Sequence, residues 1–425
     1  MSALGAIIGL LLAIALIIRR VSTVYSLMIG AVVGGLLGGL SLPGTVVAMI
    51  DGVKDIVPAI VRIIAAGVLS GVLIKTGAAA SISHTIVNKL GKKHVCLALA
   101  LSTMLLTAIG VFIDVSVITI APIALIIGHK LSIPKVRLLF MMIAGGKCGN
   151  IISPNPNTII SAENFHAPLS SVMFVNIIPA VVGLFVAVYI IGRLIPSKGE
   201  LVGGESVGSA TGSAGAGSDE NLPSFWASMT APLVAIILLA LKPMAGIVVD
   251  PLIALPAGGL VGVIVMRRWK ELGKGMAYGL EKMSTVAILL VGTGTIAGII
   301  KVSTMKDVII GMLSKLSIGD TLVAPISGAL MSAATASTTA GATIASSSFA
   351  DIILAVGVSS VWGAAMINSG ATVLDHMPHG PFFHATAGSV EMKMKERLKL
   401  IPYETLVGLT LATGTVLGYF LTRNI

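Results

Sequence analysis

The chain has 425 residues, of which 55% are hydrophobic and 11% charged, with a formal net charge of +10. A water-soluble globular domain does not have this balance. The basic residues cluster at the ends of apolar runs, which argues against a nucleic-acid binder and follows the positive-inside rule of membrane helices. Several apolar runs approach or exceed the ~20 residues that cross a bilayer, so the expected class is an all-α polytopic membrane protein with the lipid bilayer as its solvent. Cys96 and Cys148 both fall in apolar stretches and suggest neither a disulfide framework nor a zinc site.

In chain order, a first span at Ser2–Ile18 ends in Arg19 and Arg20, which places that end in the cytoplasm. Its charges follow the apolar core and no small-residue cleavage site is evident, so the expectation is a retained span, not a signal peptide. A glycine-rich span covers Val21–Leu42. An amphipathic connection at Thr45–Asp55 leads into a span at Ile56–Lys75 that carries Arg62, and a short polar helix follows at Ala78–Leu90. The apolar stretch His94–Lys130 is long enough, at roughly 55 Å of helix, to enter the membrane and return as a hairpin. Its middle reads TAIGVFIDVSV and places Asp114 at membrane depth.

The next stretch, Ile143–Ser161, is IAGGKCGNIISPNPNTIIS. Its hydropathy belongs in a membrane, yet it cannot be one continuous helix. Gly145, Gly146 and Gly149 weaken a helix, and Pro154 and Pro156 each remove an amide donor. Broken backbone at membrane depth survives only where protein buries it or where it lines a polar cavity, and such breaks are where transporters bind substrate. A span at Leu169–Leu194 closes the half. Residues 197–222, rich in glycine, serine and acidic side chains, read as a flexible cytoplasmic linker.

The second half repeats the plan. Spans are expected at Phe225–Leu241 and Ile247–Met266, and Arg267 and Arg268 mark the cytoplasm again. An amphipathic segment, Lys270–Lys282, precedes a span at Val286–Lys301. A polar arm, Thr304–Ser317, leads into a long stretch at Thr321–Val356 whose middle is SAATASTTAGATIASSS. A second broken segment, Val361–His384, contains INSGATVLDHMPHGPFFH, and a last span follows at Thr405–Leu421. The halves align with a shift of about 226 residues, which lays Lys75 on Lys301 and Lys89 on Lys315. Counting crossings gives the halves opposite orientation. The expected organisation is therefore an inverted repeat, 1–196 and 223–425, each with a re-entrant hairpin and a discontinuous helix.

Several side chains in these elements can carry chemistry. A carboxylate such as Asp114 at membrane depth must be paired, protonated or in a wet cavity. The bland alternative is an ion pair with Lys147 or Arg62. Lys147 can attract an anion as a point charge or form a structural pair with Asp114 or Asp375. The turn Ser153–Thr158 and the hairpin middle Ser337–Thr343 offer amides, hydroxyls and half-helix ends suited to a carboxylate. The substrate candidates are Lys147, Asn150, Ser153, Asn155, Asn157, Thr158, Ser337, Thr338, Thr339, Asn368 and Ser369. Asp114, Asp375, His376 and His379 are the proton-coupling candidates, the histidines because they titrate near physiological pH. Arg62 and Glu163 read as structural. No metal site or cofactor motif is evident, and no glycine-rich GK[ST] loop for ATP hydrolysis, so a gradient must drive the process.

The runs GVFIDVSVITIAPIALIIGHKLSIPKVRLLFMMIAGGKCGNIISPNPNTI, MSAATASTTAGATIASS and INSGATVLDHMPHGPFFHATAGSV together resemble the gluconate permease family of proton symporters, within the larger ion-transporter superfamily. The resemblance implies a homodimer in the bacterial inner membrane, paired re-entrant hairpins and elevator-type movement. It also implies gluconate and related hydroxy-carboxylates as substrates, moved with protons. It marks Asp114, the break Ser153–Thr158 and the hairpin Ser337–Thr339. Gluconate carriers typically have a His-Pro-Gly-Pro type break where this chain has Ser153-Pro154-Asn155-Pro156, and their second break lacks the two-histidine pattern found here. A smaller acid of the hydroxybutyrate kind stays open.

The expected function is a symporter for a small organic anion and protons, with sodium coupling as the alternative. An enzyme is not expected. A membrane aspartyl protease built on Asp114 and Asp375 would need a Gly-x-Gly-Asp context that is missing.

Overall fold

The computed structural model describes residues 1–91, 94–196, 200–203, 222–247, 249–305, 308, 319–378 and 380–422. Among these every regular element is helical, and an isolated bridge pairs Pro134 with Leu201. The first half comprises α1 (Ala3–Ile18), α2 (Thr23–Leu37), α3 (Leu42–Lys75), α4 (Ala78–Leu90), α5 (Val95–Ala108), α6 (Ile113–Leu131), α7 (Lys135–Asn150) and α8 (Pro156–Asn164). It ends with α9, Leu169–Leu194, which contains a π turn at Ala187–Ile191. The second half comprises α10 (Phe225–Ala245), α11 (Pro251–Val265), α12 (Trp269–Lys301), α13 (Gly319–Thr335), α14 (Thr338–Ala355), α15 (Ser360–Gly370), α16 (Pro381–Ser389), α17 (Met394–Leu398) and α18 (Ile401–Thr422). Among the described residues five helical stretches are long and apolar enough to cross a membrane.

Both long apolar stretches fold back as hairpins. α5 and α6 meet at Ile109–Phe112, and α13 and α14 meet at Ala336 and Ser337. Both expected breaks are present, one between α7 and α8 and the other between α15 and α16. Most of 197–222 and of Thr304–Ser317 lies outside the described residues, as do Lys92, Lys93 and His379. At the start of the first stretch, residues 200–203 are docked. Lys135 N–H donates to Glu200 O at 2.9 Å, and His129 Nδ1 lies 2.9 Å from Val202 O.

Two expectations change. The amphipathic connections Thr45–Asp55 and Lys270–Lys282 are not separate elements but the first turns of α3 and α12, helices of 34 and 33 residues. Asp51 pairs with Lys54 at 2.7 Å, and Asp55 pairs with Lys301, the last residue of α12, at 2.7 Å. In addition, Gly145 and Gly149 do not break α7, which runs on to Asn150. They let α7 press against α5, because a Cβ at Gly145 would lie 1.9 Å from Ala100 O, and one at Gly149 2.1 Å from Met104 O. Small residues that bring backbones together are the usual means of packing helices in lipid, where no hydrophobic effect separates helix from solvent.

The same device joins the halves. α3 and α12 pack along their lengths, and a Cβ at Gly52 would fall 2.2 Å from Gly294 O, one at Gly71 2.0 Å from Gly275 O. The hairpins α1–α2 and α10–α11 flank this pair. Arg62 on α3 reaches across to Glu163 at the end of α8 and donates from Nη2 to Asp250 at 2.8 Å. Asp250 also accepts from Leu252 N–H at 2.8 Å and so caps α11. Arg397 and Glu404 form a buried pair, with Arg397 lying 4.5 Å over the Phe383 ring, and this anchors α16 to α18.

Candidate functional site

Why the chain breaks where it does is local chemistry. Pro154 and Pro156 lack N–H groups, and Pro156 opens α8 at a position where no donor is needed. Asn155 caps α8: its Oδ1 accepts from Thr158 N–H at 3.0 Å and from Thr158 Oγ1 at 3.0 Å. Ser337 caps α14 by accepting from Ala340 N–H at 3.2 Å. In the second break Gly380 precedes Pro381 at the start of α16.

These starts converge. A cavity of about 510 Å³ is lined by Phe112–Val115 at the start of α6, Asn157 at that of α8, Ser337–Ala340 at that of α14, and Pro381 and Phe382 at that of α16. Four helix N-termini thus line one space, and each brings partial positive charge. Asn150 and Asp375 complete the polar wall, and Lys282, Thr285, Val286 and Leu289 of α12 close it with Ser22–Val24 at the start of α2. A smaller polar cavity of about 260 Å³ lies at the other end of α12, beside Asp55, Glu163, Lys301 and Ser348. None of the residues expected at the site line it.

The structure divides the expected residues into two layers. Asp114, Asn150, Asn157, Ser337, Thr338, Thr339 and Asp375 lie on the cavity wall. Lys147, Ser153, Asn155, Thr158, Asn368, Ser369 and His376 are buried behind it. Asn157 Nδ2 donates to Asn368 Oδ1 at 2.7 Å, and Asn368 Nδ2 donates to Thr158 Oγ1 at 3.0 Å, so the two breaks are tied directly to each other. Asn155 Nδ2 donates to Asn150 Oδ1 at 2.6 Å. That leaves Asn150 Nδ2 buried, with no protein partner, on a residue that lines the cavity. Ser153 Oγ is likewise buried without a partner, and Ser369 Oγ bonds back to Met366 O at 3.2 Å.

Lys147 is 0% exposed and pairs with Asp375, which is 2% exposed. An ammonium has three N–H donors. Those of Lys147 go to Asp375, to Thr372 O at 2.5 Å and to His376 Nδ1 at 3.0 Å. In that arrangement His376 Nδ1 accepts, and Nε2–H donates to Ile401 O at 3.0 Å or to Thr405 Oγ1 at 3.1 Å. The other oxygen of Asp375 accepts from Thr338 Oγ1 at 2.5 Å. Lys147 is therefore saturated and shielded, a pin between the first break, the second break and the tip of the second hairpin. Asp114 differs. It pairs with neither Lys147 nor Arg62, and no ion pair to it is found among the described residues.

Residues 1–422 match the profile of the GntP family permeases. The chain belongs to the GntP permease family. It is 52% identical over 422 residues to an uncharacterized transporter of Haemophilus influenzae, with 99% of each chain covered. It is 23% identical over 329 residues to a high-affinity gluconate transporter of Escherichia coli, covering 73% of this chain and 74% of that one. The solved structure of the Alcanivorax borkumensis YdaH transporter superposes with a TM-score of 0.61 at 14% identity, covering 90% of this chain and 89% of that one, which is a likeness of fold. This GntP-family permease is thus a multi-pass membrane transport protein and not an enzyme.

Two features of the permease escape a reading of the sequence. Lys282 sits on the cavity wall, although its segment reads only as an amphipathic stretch before a span. Its spacing of four residues from Tyr278 is the one signal, since that spacing stacks the two side chains on a helix. Arg62, Glu163 and Asp250 meet from three elements, which no local pattern announces.

Proposed function

We propose that this permease is a secondary active symporter that imports a small organic anion, gluconate or a related hydroxy-carboxylate, with the proton gradient as its driving force. The convergence of four helix N-termini on one cavity carries the reading, because free amides and helix dipoles suit a carboxylate held away from water. The unpartnered Nδ2 of Asn150 supplies one more donor. The likeness to the Escherichia coli gluconate transporter supports the substrate class. Asn157, Ser337, Thr338 and Thr339 contribute direct contacts from the wall, and Ser153, Asn155, Thr158, Asn368 and Ser369 shape it from behind. Lys147 acts at one remove by fixing Asp375. Asp114 is the leading proton carrier, since it lines the cavity and makes no ion pair among the described residues. Asp375, His376 and His379 are the remaining proton-coupling candidates.

The proposed architecture is the inverted repeat 1–196 and 223–425, joined by the flexible cytoplasmic linker 197–222. The element order supports it. In each half a helical pair precedes a long helix, then a hairpin, then a broken helix. The basic clusters Arg19-Arg20, Lys130–Arg137, Arg267-Arg268 and Lys393–Lys399 then all fall on the cytoplasmic side. The α5–α6 hairpin enters from there and the α13–α14 hairpin from outside. In an elevator cycle α3 and α12 would belong to the frame, and the hairpins and broken helices would carry the substrate. We place the permease in the bacterial inner membrane as a homodimer.

The test is uptake of radiolabelled gluconate and 3-hydroxybutyrate into proteoliposomes with a pH gradient alone or a sodium gradient alone. Accumulation with the pH gradient only is expected. Accumulation with sodium only would replace the proton with sodium, and downhill flux without accumulation would make the protein a channel.

A further inference from the structure

Asp114 and Asp375 both line the cavity, and an anionic ligand entering it must coexist with them. Asp375 is matched by Lys147 at its back. Asp114 has no such match. Among the described lining residues Lys282 is the single Lys, Arg or His. Lys282 is also held in place. Its Nζ lies 5.5 Å from the Tyr278 ring centroid, and Lys75 Nζ lies 4.8 Å from the same ring. Cation–π contact of this kind restrains the long stem while leaving the ammonium's N–H groups for another partner.

Resting on the carboxylate reading above, we propose that Lys282 is the residue that receives the substrate carboxylate on the α12 side of the cavity. It thereby sets the preference for an acid over an uncharged polyol. The helix that carries it is joined to α3 through Gly52, Gly71, Gly275 and Gly294, whereas the four helix starts belong to other elements. In the elevator cycle proposed above, Lys282 and the helix starts would therefore meet the same ligand only at this level. The cavity reaches Ser22–Val24, next to Arg19 and Arg20, so this level opens toward the basic side of the molecule. Lys282 should accordingly govern affinity on the cytoplasmic face and leave the external face unaffected.

The test uses the purified full-length protein and its Lys282→Gln and Lys282→Arg variants, with calorimetric binding of gluconate and of its amide, gluconamide. The wild type should prefer gluconate by about 10- to 100-fold, the range of one charged hydrogen bond. Lys282→Gln should lose most of that preference while binding gluconamide as before, and Lys282→Arg should keep it. In oriented proteoliposomes the KM for gluconate should rise in Lys282→Gln from the cytoplasmic face only. A purely structural role would weaken acid and amide equally and would raise KM from both faces. Equal gluconate-to-gluconamide ratios in the wild type and Lys282→Gln, or loss of the preference in a folded Lys282→Arg, would overturn the proposal and leave the carboxylate reading standing. A wild type that binds neither gluconate nor 3-hydroxybutyrate would overturn both.

Discussion

Lys147 and Asp375 lie 228 residues apart in the chain and form one ion pair inside the protein, with essentially no solvent contact on either side chain. Removing one partner of such a pair strands the other charge, at a cost of about 3–5 kcal/mol. Lys147→Met and Asp375→Asn should each lower Tm in detergent strongly, and the double variant should recover much of the loss. A double-mutant cycle on unfolding checks this, and additive losses would mean that the two charges are not coupled in the folded protein.

Asp114→Asn should abolish gluconate uptake driven by a pH gradient while leaving membrane insertion and Tm close to wild type. It makes no ion pair among the described residues that the change would break. Counterflow under equal pH on both sides should survive. Full pH-driven uptake in this variant removes Asp114 from the coupling mechanism.

Asn150→Asp keeps the acceptor that Asn155 Nδ2 uses at 2.6 Å and deletes the buried, unpartnered donor of a residue that lines the cavity. The fold should survive. Affinity for gluconate should fall by at least about 10-fold, the weight of a lost donor plus the repulsion between two carboxylates. Isothermal titration of the purified variant measures it, and wild-type affinity would take Asn150 off the binding wall.

The seam between α3 and α12 leaves no room for a methyl group. Gly52→Ala places a Cβ 2.2 Å from Gly294 O, so the helices must part, at a cost of about 1–3 kcal/mol. Gly388→Ala, in α16 with nothing within 4 Å of the new Cβ, should be neutral or stabilising by roughly 0.5–1 kcal/mol. Thermal unfolding of the two variants in the same detergent compares them directly, and equal Tm values would contradict the close approach.

The helices, the hairpin tips and both breaks were determined by the sequence, because each rests on a local cause. Apolar runs of bilayer length make helices, and Pro154, Pro156, Pro378 and Pro381 interrupt them by removing donors that lipid cannot replace. The family is legible there for the same reason. The tertiary structure decided what the side chains at those breaks do. Lys147 and Lys282 look alike in sequence, each a basic residue in or beside an apolar stretch. One is sealed behind the wall and spent on Asp375, while the other stands on the wall of the cavity that Asp114 also lines. Gly145 and Gly149 read as residues that weaken a helix, yet they are contact points for α5. In each case the outcome depends on which distant helix lies opposite and at what height. That register comes from packing the whole bundle, and no window of neighbouring residues contains it.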